Sequence, residues 1–427
     1  MKSEILIIGA GASGLMAAYT LAKAGKTVTV LEARNRIGGR IHTMTGKGFS
    51  MPVELGAEFV HGNLPVTLGL LKQAGIAYKD VGFEMWQYHG GMLEQSDEFV
   101  EGWDAFLEKL NQLEEDMPIL DFIEKEFSGE EYVVMRRQIV DYVSGYDTAD
   151  VNDAGAFALR NEWNHEDEDA QHRINEGYGA LMDYLARGVR NPGNQIHLNT
   201  VVSEIAWEKN AVKAIAADGS IYSADKIIIA LPLGVLQFTQ GKGAVQFSPS
   251  IERQEKAFRD IGFGSVIKIL LEFDAVFWEG AAGSMGFLFS DEKIPTYWTQ
   301  SPLRSPLLTG WLGGPPAYAQ KDASAGAVLQ MALGSLANIF GRTREELHGR
   351  LVAWQVANWT AEPFTRGSYA YDKVESPAAR KILLQPVEGT LYFAGEYLYD
   401  GPAMGTVEAA LTSGRDSAMK LLAGSSK

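Results

Sequence analysis

Apolar residues open this chain in a four-residue run, Ile5 to Ile8, that leads straight into the glycine-rich segment GAGASG ending at Gly14. A short, unbroken apolar run closed by glycine predicts a strand buried on both faces, the habit of parallel sheets. Leu15 to Ala24 then places apolar residues at helical spacing, and Gly25 can end that helix. A second apolar run, TVTVLE, ends on Glu32. Residues from about 80 to 185 are expected to be helical: WDAFLEKLNQLEEDM and MRRQIVDYVSGY carry Leu, Phe, Ile and Val on one face, as core stripes. Short alternating runs follow, QIHL, VVSEIAW, AVKAIAA and SIYSA, with an Asp218-Gly219 turn, and these predict a β-meander. KIIIALP predicts a buried strand stopped by Pro232. Residues from about 240 to 385 mix strand and helix, and TLYFAGE (390–396) is a last buried strand before a helix starting near Thr406. There is no internal repeat and no low-complexity linker.

The first of these units has a chemistry. Gly9 permits the tight turn, Gly11 lets the backbone approach a pyrophosphate, and Gly14 lets the helix pack closely on the strand. The helix N-terminus supplies free N–H groups and a positive dipole end. Glu32 is the acid expected to accept a hydrogen bond from a ribose hydroxyl. Strand, glycines, helix and acid in this order predict a dinucleotide site. A second glycine pair with an arginine, Gly38-Gly39-Arg40, follows the first βαβ unit. NAD does not require it; a longer cofactor gripped twice does.

With LEAR (31–34), GGR (38–40) and ELGAEFVHG (54–62) in view, the sequence resembles the flavin-containing amine oxidases, the family of monoamine and polyamine oxidases and lysine-specific histone demethylases. The resemblance runs along nearly the whole chain. It implies an α/β fold: a discontinuous Rossmann-type FAD-binding domain (1–78, 188–238, 386–427) with an inserted α+β substrate domain (79–187, 239–385). EGYGALMDYLA is expected to lead back into the FAD domain. The resemblance further implies that Gly9, Gly11, Ser13, Gly14, Glu32, Ala33, Arg34, Gly39 and Arg40 grip FAD, with Val202 beside them. Leu55, Gly56, Ala57 and Glu58 would run beneath the isoalloxazine ring. Trp359 and Phe364, in ANWTAEPFTRGSYAY, would pack near that ring. Gly395 and Glu396 would meet the ribityl chain, and Thr406, Val407 and Ala410 would aim the last helix's positive end at the flavin.

Lys268 lies inside the apolar run IGFGSVIKILLEF, where a lysine is costly to bury. Pattern alone also allows an edge-strand lysine reaching water. The resemblance implies the family lysine that holds a water at flavin N5, which makes Lys268 the expected catalytic residue. The family often frames the amine with two tyrosines. One position falls at Thr406 and the other near Ala379 or Arg380, so the cage is expected to be absent or rebuilt from Tyr397, Tyr399 or Trp298. His61, Glu58 and Tyr397 are the expected substrate contacts.

Bulk properties narrow the picture. The 427 residues suggest two domains, and 46% apolar with 22% charged residues mark a globular chain. A net charge of −16 argues against nucleic acid or anionic membrane as partners and favours a cationic substrate. No apolar run approaches the ~18 residues of a membrane span, and neither a signal peptide nor a C-terminal membrane helix is expected, so the expected location is cytoplasmic. With no cysteine, disulfides, thiolate metal sites and a cysteinyl flavin link are excluded, and FAD is expected to be held non-covalently. His165-Glu-Asp-Glu-Asp169 with His172 raises a metal site, but no histidine pair is spaced for one, and a solvated loop is the expectation. The expected activity is oxidation of a polyamine or primary amine, with O2 reduced to H2O2 by a monomer or homodimer. An L-amino acid oxidase of the same fold, with Arg380 gripping the carboxylate, is one alternative. A flavin-binding protein without oxidase turnover is another. A histone demethylase is not expected, because no chromatin-binding domain or tower-like insertion is found.

Overall fold

The computed structural model describes residues 4–82, 84–96, 100, 102–165 and 171–424. Ile5–Ile8 is the middle of a five-stranded sheet ordered Gln195–His197, Val28–Leu31, Ile5–Ile8, Lys226–Ile229, Leu391–Phe393, with every pair parallel. Side chains alternate along a strand. Ile5 and Ile7 therefore join one core with helix Ala12–Lys23, and Leu6 and Ile8 join a second core on the other face. Two covered faces explain why the run is apolar throughout. Helix Val407–Gly424 crosses helix Ala12–Lys23 where Gly414 meets Ser13; a Cβ at Gly414 would lie 2.1 Å from Ser13 O.

Three sequence expectations change. QIHL is not part of the meander: Gln195–His197 pairs with Val28–Leu31 at the edge of the parallel sheet. The antiparallel part of the meander is Val202–Glu208, Ala211–Ala216 and Ile221–Ala224, and Gln246–Ser248 adds to it in parallel. Residues 80–185 are not all helical. Helices Trp103–Asn111, Ile119–Glu126, Val133–Gly145 and Ala156–Trp163 do form a lobe around Phe106, Phe122 and Ile139. Glu84–His89 and Met92–Gln95, however, make a hairpin across Gly90-Gly91, both at positive φ. That two-glycine turn between segments of mixed apolar and polar residues is a hairpin signal. Finally, the expected 187/188 domain boundary falls inside helix Gly179–Val189, whose Leu181, Met182, Leu185 and Val189 pack in the core of the parallel sheet.

A seven-stranded sheet forms the other half of the molecule, ordered Leu351–Asn358, Val266–Phe273, Leu307–Gly313, Thr296–Trp298, Met285–Ser290, Glu84–His89, Met92–Gln95. Val266–Phe273 is paired on both sides and buried along its whole length. A smaller sheet, Phe59–His61, Gln171–Ile174, Tyr78–Asp80, stands between this half and the parallel sheet's helices. Among the described residues, no helix is long and apolar enough to cross a membrane.

Candidate active site

The glycine fingerprint builds a backbone cradle. Gly9 has φ +100, and a Cβ there would meet Ala230 O at 2.6 Å. A Cβ at Gly14 would sit 2.0 Å from Gly9 O. Gly38 N–H donates to Ala10 O at 2.8 Å, and Gly11 bridges Gly38 in parallel, so the second glycine pair lies against the first. Glu32 is buried; its Oε2 accepts from Ala10 N–H at 2.8 Å and its Oε1 from Arg34 N–H at 2.9 Å. Each oxygen keeps acceptor capacity for a ribose hydroxyl. Asn199 N–H and Thr200 N–H donate to the carbonyls of Arg34 and Glu32; Val202 is buried in the same core as Leu31, and Ala33 is half-buried. Arg40 bridges the first and last segments, donating to Glu396 Oε1 at 2.8 Å and Ser368 O at 2.6 Å. Arg36, which stands outside the sequence motifs, donates to Ile37 O, Ile41 O and Gly39 O and so holds the second glycine loop. The cradle fits a dinucleotide, because side chains would fill the ground that the glycines leave bare.

The C-terminal half of the cradle is the start of helix Val407–Gly424. Thr406 Oγ1 accepts from Ala409 N–H at 3.3 Å and donates to Ala403 O, and Gly395 N–H donates to Ser413 Oγ. Val407 and Ala410 lie half-buried on the first turn. Trp359 is buried, and its Nε1–H donates to Leu55 O at 2.7 Å. Its ring lies under Gly56, whose added Cβ would meet Arg40 O at 1.8 Å. The Leu55-Gly56-Ala57 turn is thus clamped between Arg40 and Trp359.

Lys268 sits at this turn. It is 1% exposed and on an interior strand, so the edge-strand reading does not hold. Its Nζ donates to Gly56 O at 3.0 Å and to Glu58 Oε2 at 2.8 Å, and lies 5.2 Å from the Trp298 ring centre. Glu58 also accepts from Trp298 Nε1–H at 3.1 Å and pairs with Arg173 Nη2 at 3.0 Å. Burial pushes the Glu58 carboxyl up, but Lys268 and Arg173 outweigh it and hold it below the usual range. Arg173, a residue outside every sequence motif, is fixed by Thr299 O and Ser301 O and lies 4.5 Å over the Phe59 ring. A lone Arg in the short strand QHRI carries no sequence signal.

Rings surround this pair. Phe59 meets His61, Phe287 and Trp298 at 5.7, 5.9 and 5.9 Å, and Trp298 meets Trp311 at 5.8 Å. His61 meets Tyr146 edge-on at 6.1 Å, and its Nδ1 pairs with Gln171 Oε1 at 2.7 Å. Burial lowers the His61 pKa, more than the Gln171 bond raises it. Gln171 Oε1 only accepts, so Nδ1 carries the proton and Nε2 presents a lone pair.

Several expected contacts lie elsewhere. Tyr397 is fully buried in the core beside Phe258 and Phe393 and folded over Gly395. Ala379 and Arg380 do not supply a cage: Arg380 is buried and ion-paired with Asp372, with Asp400 beyond. The ring beside Thr406 is instead Tyr369, packed on Gly405, where φ is +74 and a Cβ would meet Tyr369 Cδ2 at 2.9 Å. Its hydroxyl donates to Tyr146 O. Tyr369 belongs to the GSY of ANWTAEPFTRGSYAY, a signal legible in the sequence. Phe364 lies 5.7 Å from the Arg34 guanidinium, at the Glu32 end of the cradle rather than at Lys268. Glu58, expected to meet a cationic amine, already has its charge matched by Lys268 and Arg173. Residues 166–169 of the acidic histidine segment lie outside the described residues; His172 pairs with Asp80 at 2.7 Å. Among the described residues no group of three His, Asp or Glu could hold a metal.

The family described as flavin containing amine oxidoreductase matches residues 12–422. Polyamine oxidase 4 of Oryza sativa subsp. japonica is 27% identical over 444 residues, covering 96% of this chain and 87% of that protein. Lysine-specific histone demethylase 1B of Mus musculus is 27% identical over 428 residues, 92% of this chain and 50% of its own length, so the chain spans about half of that relative. Among solved structures, wild-type putrescine oxidase bound to putrescine superposes with a TM-score of 0.83 at 21% identity, covering 99% of both chains. Cyclohexylamine oxidase from Brevibacterium oxydans IH-35A gives 0.81 at 18% identity over 100% of both. At these identities the two structures speak for the fold. The glycine cradle, the acid at its end and the match along almost the whole chain agree, and this chain belongs to the flavin-containing amine oxidoreductases, with FAD as its cofactor.

Proposed function

We propose that the protein oxidises a polyamine or primary amine to an imine, which water hydrolyses, and reduces oxygen to hydrogen peroxide. The observation that carries this reading is Lys268, buried on an interior strand and held at Gly56 beside a wall of aromatic rings. Bound FAD supplies the hydride acceptor. The residues around it supply position and charge. Gly56 O and Glu58 use two of the three Lys268 N–H donors, which leaves one to hold a water. Phe59, Trp298 and Tyr369 offer π faces that attract a cationic amine and exclude bulk water. The amine must be neutral to release hydride, and uncharged His61, with Nε2 as acceptor, can take a hydrogen bond from it.

An L-amino acid oxidase needs a cation for the carboxylate. Arg380, its candidate, is committed to Asp372, so that reading loses its support. We place the cofactor-binding body in the segments around the parallel sheet, with helix Gly179–Val189 included, and the amine-facing part on the seven-stranded sheet and helical lobe.

The test begins with purified yellow protein. Acid or heat is expected to release intact FAD. A peroxide-coupled screen of polyamines, primary monoamines and amino acids is then expected to respond to an amine. Peroxide from amino acids alone, or from nothing in a flavin-loaded protein, would overturn the proposal.

A further inference from the structure

A cavity of about 80 Å³ adjoins the Glu58 carboxylate. Glu54, Glu58, Arg173 and Thr309 form its inner wall, and exposed Pro52, Asn175 and Leu303 stand at its rim. No aromatic side chain lines it, so it is separate from the ring-walled space at Phe59 and Trp298. Three of its lining residues each hold a buried atom with no hydrogen-bond partner among the described residues: Glu54 Oε2, Arg173 Nε and Thr309 Oγ1. Leaving such groups dry is costly, and three of them around a space with room for more than one water call for water there.

We infer that this pocket is a water-filled port through which Glu54 exchanges protons between bulk solvent and the Glu58–Lys268 pair. The inference rests on the oxidase reading above. That chemistry moves protons at a buried place. The substrate ammonium gives up one before hydride leaves. A hydride carries one proton and two electrons, so reducing O2 to H2O2 takes up one more proton: H− + O2 + H+ gives H2O2.

Glu54 suits the task better than its neighbours. Thr43 Oγ1–H at 2.8 Å and Tyr178 N–H at 2.7 Å fix its Oε1, and its Oε2 is left buried without a partner. Burial pushes its carboxyl up to about 7, against the smaller opposing pull of those two donors and of Lys268, while Glu58 adds to the rise. Arg173, Lys79 and the Tyr178 hydroxyl are the other titratable groups around it. Glu58 is saturated by its partners, and an arginine does not release its proton.

Glu54→Gln keeps an oxygen for Thr43 and Tyr178, so fold and FAD content are expected to stay. Infrared titration of the yellow protein should show a carboxylic-acid band disappearing near neutral pH, absent in the variant. Reoxidation by O2 after reduction with dithionite, which takes the amine out of the experiment, should be pH-dependent near neutrality in the parent. In Glu54→Gln it should slow about tenfold and lose that dependence. Thr309→Met, which fills the pocket, should reproduce the slowing. A parent-like pH profile in Glu54→Gln, or an unchanged rate in Thr309→Met, overturns the port. Failure of every amine to bleach the flavin would overturn the oxidase reading instead, and the infrared band would still decide whether Glu54 titrates.

Discussion

Lys268 and Glu58 form an ion pair 2.8 Å apart with side chains only 1% and 7% exposed, although 210 residues separate them in sequence. A buried lysine among Ile267, Ile269 and Leu270 is tolerable because this carboxylate and the Gly56 carbonyl replace its water. Arg173 on the far oxygen makes Glu58 the shared anion of two cations.

Lys268→Met is expected to keep the fold and bound FAD, because Met fills similar volume. Arg173, Trp298 and Gln300 remain on Glu58. Flavin reoxidation, followed by stopped flow, should slow by about tenfold or more, which is at least ~1.4 kcal/mol of barrier. Reduction and reoxidation rates both equal to the parent's would sink the catalytic assignment of Lys268.

Glu58→Gln removes the anion from between two buried cations. Breaking a buried pair in this way costs about 3–5 kcal/mol. The urea midpoint should drop accordingly, and the double variant Glu58→Gln, Lys268→Met should recover part of the loss. Additive effects in the double-mutant cycle would mean the two side chains do not share their energy.

Glu32→Ala should weaken FAD binding by about 1–3 kcal/mol, the usual loss for a hydrogen bond to a charged group. Glu32 also accepts the Ala10 and Arg34 N–H groups, so the cradle itself loosens. An unchanged FAD dissociation constant would remove Glu32 from the ribose site.

Stability should depend on pH through Glu54. Its folded pKa, about 7, is raised above the ordinary value by burial. Between those two values the native state therefore binds more protons than the unfolded chain. The contribution is fully present below the unfolded pKa and is lost as pH rises through 7. Relative to the parent, Glu54→Gln should gain up to about 3 kcal/mol between pH 5 and 9. Parallel pH curves for the two proteins would show that Glu54 does not titrate there.

By itself, the sequence determined the cofactor half of this protein. Gly9, Gly11, Gly14 and Glu32 act through backbone conformation and spacing within one βαβ unit, so their geometry is local. The unbroken apolar runs at Ile5–Ile8, Ile227–Ile229 and Leu391–Phe393 likewise announce strands covered on both faces. Only the tertiary structure decided what surrounds Lys268. Glu58 from the turn before strand Phe59–His61 and Trp298 from strand Thr296–Trp298 reach it, Arg173 from strand Gln171–Ile174 closes on the far side of Glu58, and no local pattern encodes that meeting. The same holds for Tyr369, which stands by Thr406 because Gly405 lets its ring in, and for Tyr397, whose ring turns into the Phe258–Phe393 core. An aromatic side chain looks alike in sequence whether it lines a chamber or fills a core, because packing between distant segments chooses the side it faces.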